Sequence, residues 1–396
     1  MASPTHRIHL LIHSRNAWIS SALLAAIVLI GTTGCGGGFF IPPCQATNSC
    51  GGGGGSYSSY AYVANATKGT LAGFPVPTAT FTTLTGSTYN IGTSPIALAA
   101  TPKGTFLYVA LNTGAVFLYT IGTNGVLTLG NSGSPVATTL NGTGMSMTVD
   151  PSGNWLFVAS KSIDVLLEYQ IDTTSGLLTQ VLPTTGIPLS TGGPTQVYVT
   201  PDNQYVYIGL GPGGTDGFSF NSSTGAVNQI GKIHLAPRNG ASDNTLAADA
   251  NSAYLFVGEA GTGIRSLAIG AGGSLKEVTG SPFLTPSQLG PKSIVVDPTN
   301  TYVYVAYSTS NSIVGYTLGT GGTLTELSSS PFTSGTTPTA MSLDSTGKYL
   351  FVVNSGGSPD LQVFSFDGTT GGKLDSVTSV ATGTDPTGAV ALSIVP

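Results

Sequence analysis

Apolar positions along this chain fall into short, evenly spaced runs and not into helical stripes. Seven times a strand-like segment opens on an aromatic residue: YAYVAN from Tyr60, FLYVAL from Phe106, WLFVAS from Trp155, YVYIGL from Tyr205, YLFVGE from Tyr254, YVYVAY from Tyr302 and YLFVVN from Tyr349. Their starts lie 46, 49, 50, 49, 48 and 47 residues apart. Aromatic and β-branched residues in this density predict buried strands. A shorter apolar run ending in a turn precedes most copies: PIALAATPKG, MSMTVDPSG, PTQVYVTPDN, PKSIVVDPTN and PTAMSLDSTG. Its Asp, Pro, Gly and Asn predict a tight hairpin. A third strand follows, such as VFLYTI from Val116 or IVGYTL from Ile313, and then a glycine turn leads into a fourth, as in NGVLTL and GGTLTEL.

A four-strand unit repeating every ~40–50 residues is the signature of a propeller blade. The expected fold is an all-β, seven-bladed β-propeller of four-stranded blades over residues 57–396. Alternation is weak in the inner strands, which predicts packing on both of their faces. The first aromatic segment is preceded only by GGGGGSYSS, so its inner strand must come from elsewhere. PTGAVALSIV, from Pro386, matches PTAMSLDSTG, from Pro338, and predicts a ring closed by the C-terminal strand pairing into the first blade. Closure removes free sheet edges. Asp150, Asp297 and Asp344 recur at one turn position, and Asp249 shares it, so local turn capping is their expected role.

The first 34 residues read as an address. Arg7 and Arg15 precede the apolar run AWISSALLAAIVLIG, which is short for a membrane span of ~20 residues. TTGC follows and places Cys35 after small residues, resembling the lipobox of bacterial lipoproteins, with Thr32 where an aliphatic residue usually stands. The expectation is a lipoprotein-type signal peptide over 1–34, lipidation at Cys35, and a chain carried across the inner membrane and held in the periplasm, outer membrane or cell surface. An ordinary signal peptidase site and an uncleaved anchor are the alternatives. Residues 35–56 read as a Gly-rich tether. Cys44 and Cys50 in that tether either pair as a disulfide in an oxidising compartment or stand as two reduced thiols.

Charge narrows the function classes. Charged residues make up 7% of the chain, against ~25% in an average soluble protein, and 12 Lys+Arg against 17 Asp+Glu leave no basic excess. Nucleic-acid binding is therefore not expected. Within 57–396 there is one histidine, His234, and no cysteine, so no metal or cofactor site is expected and no Ser-His-Asp triad can be assigned. LGPGGTDG, from Leu210, runs from strand to strand and reads as a hairpin loop, lacking the helix that would cradle a phosphate.

The repeated unit of inner strand, DPxG-like turn, YVAN-like strand and G-x-L-T hairpin resembles the seven-bladed lactonase propellers related to 6-phosphogluconolactonases, and also the YVTN-type repeat propellers of cell surfaces. The resemblance spans residues 57–396. It implies inner strands that open on G-P-R-H or Q-P-R-G, with Arg and His directed at the central channel to take an anionic lactone. The corresponding stretches here are GGPTQV, with Thr195 and Gln196, and TTPTAM, with Thr339; LGPKSI alone keeps a cation, Lys292. One Lys is a thin match for a phosphorylated substrate.

One region gathers ionisable residues against the neutral background: His234, Arg238, Asp243, Glu259 and Arg265. His234, Arg238 and Asp243 are expected in a long connection entering the fifth inner strand, with Glu259 ending the next strand. Loops at those two positions emerge on one face of a propeller, its ligand-binding mouth. His234, Glu259 and Asp243 are the candidate acid–base groups, and Arg238, Lys292 and Arg265 the candidate ligand-binding cations. The ordinary alternative is a set of solvated loop charges. Two functions follow: an envelope propeller that binds a protein, glycan or other ligand through its loop-rich face, or a lactonase-like hydrolase. Membrane attachment through a lipid is common to both. Cys35→Ser is expected to move the protein from the membrane to the soluble fraction; unchanged fractionation would overturn the lipidation reading.

Overall fold

The computed structural model describes residues 59–76, 83–84, 86–138, 144–181, 185–237, 240–284, 289–380 and 388–396. The expected leader and tether, with Cys35, Cys44 and Cys50, lie outside them. The described residues form seven antiparallel sheets, each with four strands in order from the channel outward, successive in sequence in all but the first. We number them blades 1–7 and name their strands inner, second, third and outer. The second strands are the seven aromatic segments, among them Ser59–Asn65 in blade 1, Trp155–Ser160 in blade 3 and Tyr254–Ala260 in blade 5. In blades 2, 3 and 6 a two-residue strand also pairs with the third strand.

Every inner strand contacts the inner strand of the next blade, and the series returns to its start. The inner strand of blade 1 is Ala389–Val395, paired antiparallel with Ser59–Asn65, so the ring closes as the sequence predicts. The register differs. Ala389 stands opposite Asn65 as Pro338 stands opposite Asn354, so Ala389, three residues beyond Pro386 in the sequence, is the position equivalent to Pro338. The Pro-Thr match that suggested the alignment is not what the ladder selects. The inner strands also differ from expectation in burial: five of the seven residues of Ala389–Val395 are half-buried, because the channel side has no further blade to cover it.

The second strands are buried along almost their whole length, and their alternation explains the YVYV pattern. Positions one and three face the following blade; positions two and four face the preceding one. Tyr60 and Tyr62 pack with Leu107 and Val109 of blade 2, whereas Ala61 and Val63 pack with Phe351 and Val353 of blade 7. Among the described residues the core is therefore seven apolar seams, one between each pair of blades.

Each of six seams is clasped at its outer end by a glycine. The first aromatic ring of a blade lies on the outer-hairpin glycine of the next: Tyr60 on Gly125, Phe106 on Gly176, Trp155 on Gly225, Tyr205 on Gly273, Tyr254 on Gly322 and Tyr302 on Gly372. In four seams the tyrosine two residues on donates to the carbonyl of that glycine: Tyr62 to Gly125 (2.7 Å), Tyr108 to Gly176 (2.8 Å), Tyr207 to Gly273 (2.8 Å) and Tyr304 to Gly372 (2.9 Å). Burial pushes all four phenol groups far above their ordinary pKa and keeps them as donors. Blades 3 and 5 carry Phe157 and Phe256 at that position. There Trp155 Nε1 donates to Ser222 O (2.8 Å), and Ser266, paired with Phe256, donates to Gly322 O (2.6 Å).

The turn aspartates do what the sequence predicts. Asp150 Oδ1 accepts from the N–H groups of Asn154 and Trp155, both at 2.8 Å, and Asp249, Asp297 and Asp344 repeat the pattern. Thr101 and Thr200 substitute a hydroxyl in blades 2 and 4.

At Gly225 the backbone is left-handed (φ +75°), and a Cβ would lie 2.3 Å from the Trp155 ring. Gly225→Ala is expected to cost about 2–4 kcal/mol from strain and overpacking together. Gly321→Ala has the same strain (φ +82°) with open space around it, and is expected to cost about 1–2 kcal/mol. Denaturant unfolding of the two variants checks the difference; equal losses would remove the clasp from the account.

Candidate functional site

Blade 5 breaks the pattern of its neighbours at the mouth end of the ring. In blades 2, 6 and 7 the inner strand opens with a proline opposite Leu111, Tyr307 or Asn354. In blade 5 the pair at that place is Asp243 and Glu259, two carboxylates directly opposite one another. Like charges so placed repel. Burial sharpens the problem, since both residues are fully buried.

The neighbours resolve it. Glu259 Oε1 accepts from Arg265 Nη1 at 2.9 Å, and its Oε2 accepts from the Thr262 hydroxyl at 2.5 Å. Arg265 is itself 3% exposed; it also donates to Ala236 O (3.1 Å), and its Nε lies 3.6 Å from Glu277. Asp243 Oδ2 accepts from Thr215 of blade 4 at 2.6 Å, and its Oδ1 has no donor in reach. Desolvation, with the facing Glu259 adding to it, pushes Asp243 up to about 7 in spite of the Thr215 hydroxyl and Arg265. A proton shared between the two carboxyls is the bond open to Asp243 Oδ1.

The structure therefore brings Asp243, Glu259 and Arg265 together, closed inside the seam between blades 4 and 5. His234 is placed differently from expectation. It belongs to the outer strand of blade 4, Ala226–Leu235, opposite Asp216, because a register shift between Asp216 and Phe218 lets that strand run on for ten residues. Asp216 accepts from Ser190 N (2.8 Å) and pairs with Ile208, which packs against blade 3, so the Asp216–His234 position of the ladder belongs to the seam between blades 3 and 4 and not to that of the Asp243 cluster. Arg238 lies outside the described residues. Lys292 is apart from the cluster, exposed at the second position of the blade 6 inner strand, where the ladder bulges. Sequence reading missed Thr215, Asp216, Thr262 and Glu277. A charged residue inside TDGFSF was the available signal for Asp216. Among the described residues no three of His, Cys, Asp and Glu group closely enough to hold a metal ion.

The other channel-mouth positions are committed to the fold. Thr195 donates to Asp243 O (2.8 Å), and Gln196 bonds both backbone groups of Leu246 (3.2 and 2.8 Å). Ser146 accepts from Val197 N (3.0 Å) and Ser293 from Met341 N (3.0 Å), while Thr339 donates to Val353 O and Ala389 O. Each of these except the Thr339–Val353 bond ties one inner strand to the next. The loop from Leu210 closes as a hairpin turn, with Gly213 N on Leu210 O (3.0 Å).

Comparison with known proteins comes to the same architecture. The family model described as Lactonase, 7-bladed beta-propeller, matches residues 61–390. A search of curated protein sequences finds no match. Among solved structures, the periplasmic gluconolactonase of Pseudomonas aeruginosa superposes with TM-score 0.67 at 17% identity, over 86% of this chain and 99% of that one. A Bacteroides fragilis protein named for 6-phosphogluconolactonase gives TM-score 0.67 at 19% identity, over 85% and 98%. A Lactobacillus plantarum protein gives 0.66 at 17%, over 85% and 99%.

A second buried acid bears on pH dependence. Glu168, in the third strand of blade 3, is 7% exposed with Oε1 unpartnered, and burial lifts it from 4.5 to about 7. Asp243 and Glu168 thus bind protons in the folded chain that the unfolded chain releases between about pH 4 and 7. Their contribution to stability is full below that window and lost as pH rises through 7. Urea unfolding is expected to show lower stability at pH 8 than at pH 5, with Glu168→Gln narrowing the gap. A wild-type stability that rises from pH 5 to pH 8, or a gap untouched by the substitution, would refute this assignment.

Proposed function

The chain belongs to the Lactonase family of seven-bladed β-propellers, and from that premise we propose that it is an envelope-tethered binding propeller whose mouth takes an uncharged, hydroxyl-bearing ligand. The observation that carries this reading is the state of the mouth positions. Thr195, Gln196 and Thr339 bond to neighbouring strands, which leaves Lys292 as the exposed cation among them. A phosphorylated lactone brings nearly two negative charges, and its binding calls for several cations or bidentate Arg. The buried Arg265 is taken by Glu259. A neutral sugar-like ligand makes no such demand. The basic and apolar leader, Cys35 and the Gly-rich tether support placement at a membrane on the far side of the inner membrane.

A second reading, lactone hydrolysis, is favoured by one observation: Asp243 is buried directly opposite Glu259, and burial lifts the Asp243 carboxyl to about 7. In that reading a carboxylate takes a proton from water as water adds to the lactone carbonyl. The ring C–O bond then breaks, and the proton returns to the leaving oxygen. It requires the seam between blades 4 and 5 to open to substrate, with His234 in the proton path and Arg238 or Lys292 at the developing oxyanion.

Titration of the full chain with glucono-1,5-lactone, followed by calorimetry and by acid release, separates the two. The binding reading expects heat without acid release above the spontaneous rate, and weaker binding after Lys292→Ala or Arg238→Ala. The hydrolase reading expects catalysed acid release that falls by about 10²–10⁴-fold in His234→Ala. Rapid opening of 6-phosphogluconolactone would overturn the proposal of a neutral ligand.

A further inference from the structure

The face opposite the mouth, where the turns between inner and second strands lie, carries a polar cleft of about 570 Å³ at the junction of blades 3 and 4. A smaller cleft of about 280 Å³ shares Asn154, Ile171 and Thr173 with it and continues over the turn of blade 2. We propose that these two clefts form one groove that binds a neutral glycan chain. This inference is independent of the reading of the mouth.

The argument begins with which polar groups are already used. At the mouth, hydroxyls and amides are bonded to neighbouring strands. In the groove they are available: the side chains of Asn154, Gln170, Thr179 and Ser223 make no hydrogen bond within the described protein. Gln170 shows the contrast within one ladder position. It pairs with Trp155 as Thr120 pairs with Phe106 and Ser219 with Tyr205. Thr120 and Ser219 turn their hydroxyls onto their own outer strands, at 3.3 Å from Thr128 O and Asn228 O, whereas exposed Gln170 is longer and unbonded. An amide offers a donor and an acceptor together, which matches adjacent hydroxyls on a sugar ring.

The groove also selects against other ligands. Asp172 lines it, and the N–H groups of Ser175 and Thr174 hold its carboxyl below the ordinary value, so it is ionised and repels phosphate and acidic polymers. Lys103, at the far end of the smaller cleft, is the cation along the groove. The larger cleft is within the ~300–1,000 Å³ of ligand sites, and its continuation into the smaller one suits an oligosaccharide better than a single ring. Its floor is fixed in advance. Trp155 lies on Gly225 and donates to Ser222 O, and Phe106 lies on Gly176, so little ordering remains to be done on binding.

Calorimetric titration of the full chain with maltohexaose, cellohexaose and laminarihexaose, with hexagalacturonate as the charged comparison, tests the proposal. At least one neutral hexasaccharide is expected to bind. Gln170→Ala and Asn154→Ala are expected to weaken it about tenfold each without a change in melting temperature, the loss of a bonded polar contact to ligand. Lys292→Ala at the mouth is expected to leave it unchanged. The proposal is overturned by no heat from any neutral hexasaccharide, by tighter binding of hexagalacturonate, or by affinity that survives both groove substitutions. Affinity lost with Lys292→Ala alone also overturns it and assigns the sugar to the mouth.

Discussion

The contact on which the whole ring depends is an aromatic ring of one blade packed against the Cα of a glycine in the next. It recurs at six seams, each time with the glycine in a left-handed turn and with no room for a side chain. A blade alone buries one side of a four-stranded sheet at best; only its neighbours supply the other. The ring-on-glycine contact sets the spacing of those neighbours, because a larger residue at either place would push the seam open. Tyrosine hydroxyls then satisfy the glycine carbonyls that the contact buries. The penalty for leaving such a carbonyl unpaired exceeds the gain from pairing it. That asymmetry accounts for Ser266 in blade 5, where phenylalanine stands in place of tyrosine and a hydroxyl arrives from the adjacent strand.

This architecture also accounts for the composition. Blades buried on both flanks have few positions where a charge can meet water, and turns capped by a single Asp or Thr need no ion pairs. A chain with 7% charged residues is what such a fold permits. Against that background the seam between blades 4 and 5 departs most from the rule, with Asp243, Glu259 and Arg265 all buried. Removing one member of a buried set leaves the others uncompensated. The cluster therefore constrains the mouth end of its seam chemically, while Tyr205 on Gly273 constrains the outer end of the same seam by shape.

The repeat, the four-strand unit and the ring closure were legible because each rests on a local pattern that recurs. The three-residue offset of the last strand was not, since Pro386-Thr387 imitates Pro338-Thr339 while the pairing is decided by which residues fill the seams on either side, Leu392 and Ile394 among them. The candidate site divides in the same way. Glu259 and Asp243 stand out in the sequence by charge alone, but their opposition across a ladder depends on a bulge between Asp243 and Thr245 that no local motif announces. In the sequence His234 reads as part of a long connection into the fifth inner strand; the shift at Asp216, which carries the outer strand of blade 4 on to Leu235, has no local signal. Thr215 and Thr262 carry no signal as single residues; their meaning comes from the acids they touch.

Ring closure has a mechanical side. The chain enters the propeller at Ser59, on a strand held by Thr70–Val76 on one flank and by Ala389–Val395 on the other. A pull on the segment before Ser59 runs along that strand and not across it, so both ladders resist in shear, with their bonds loaded together instead of one after another. Ser59 adds a bond to Ser345 of blade 7 at the point where the load arrives. A propeller whose first strand lay at an open edge would peel at the same place. Here the first and last strands of the ring brace each other, and tension applied to one is shared by the other.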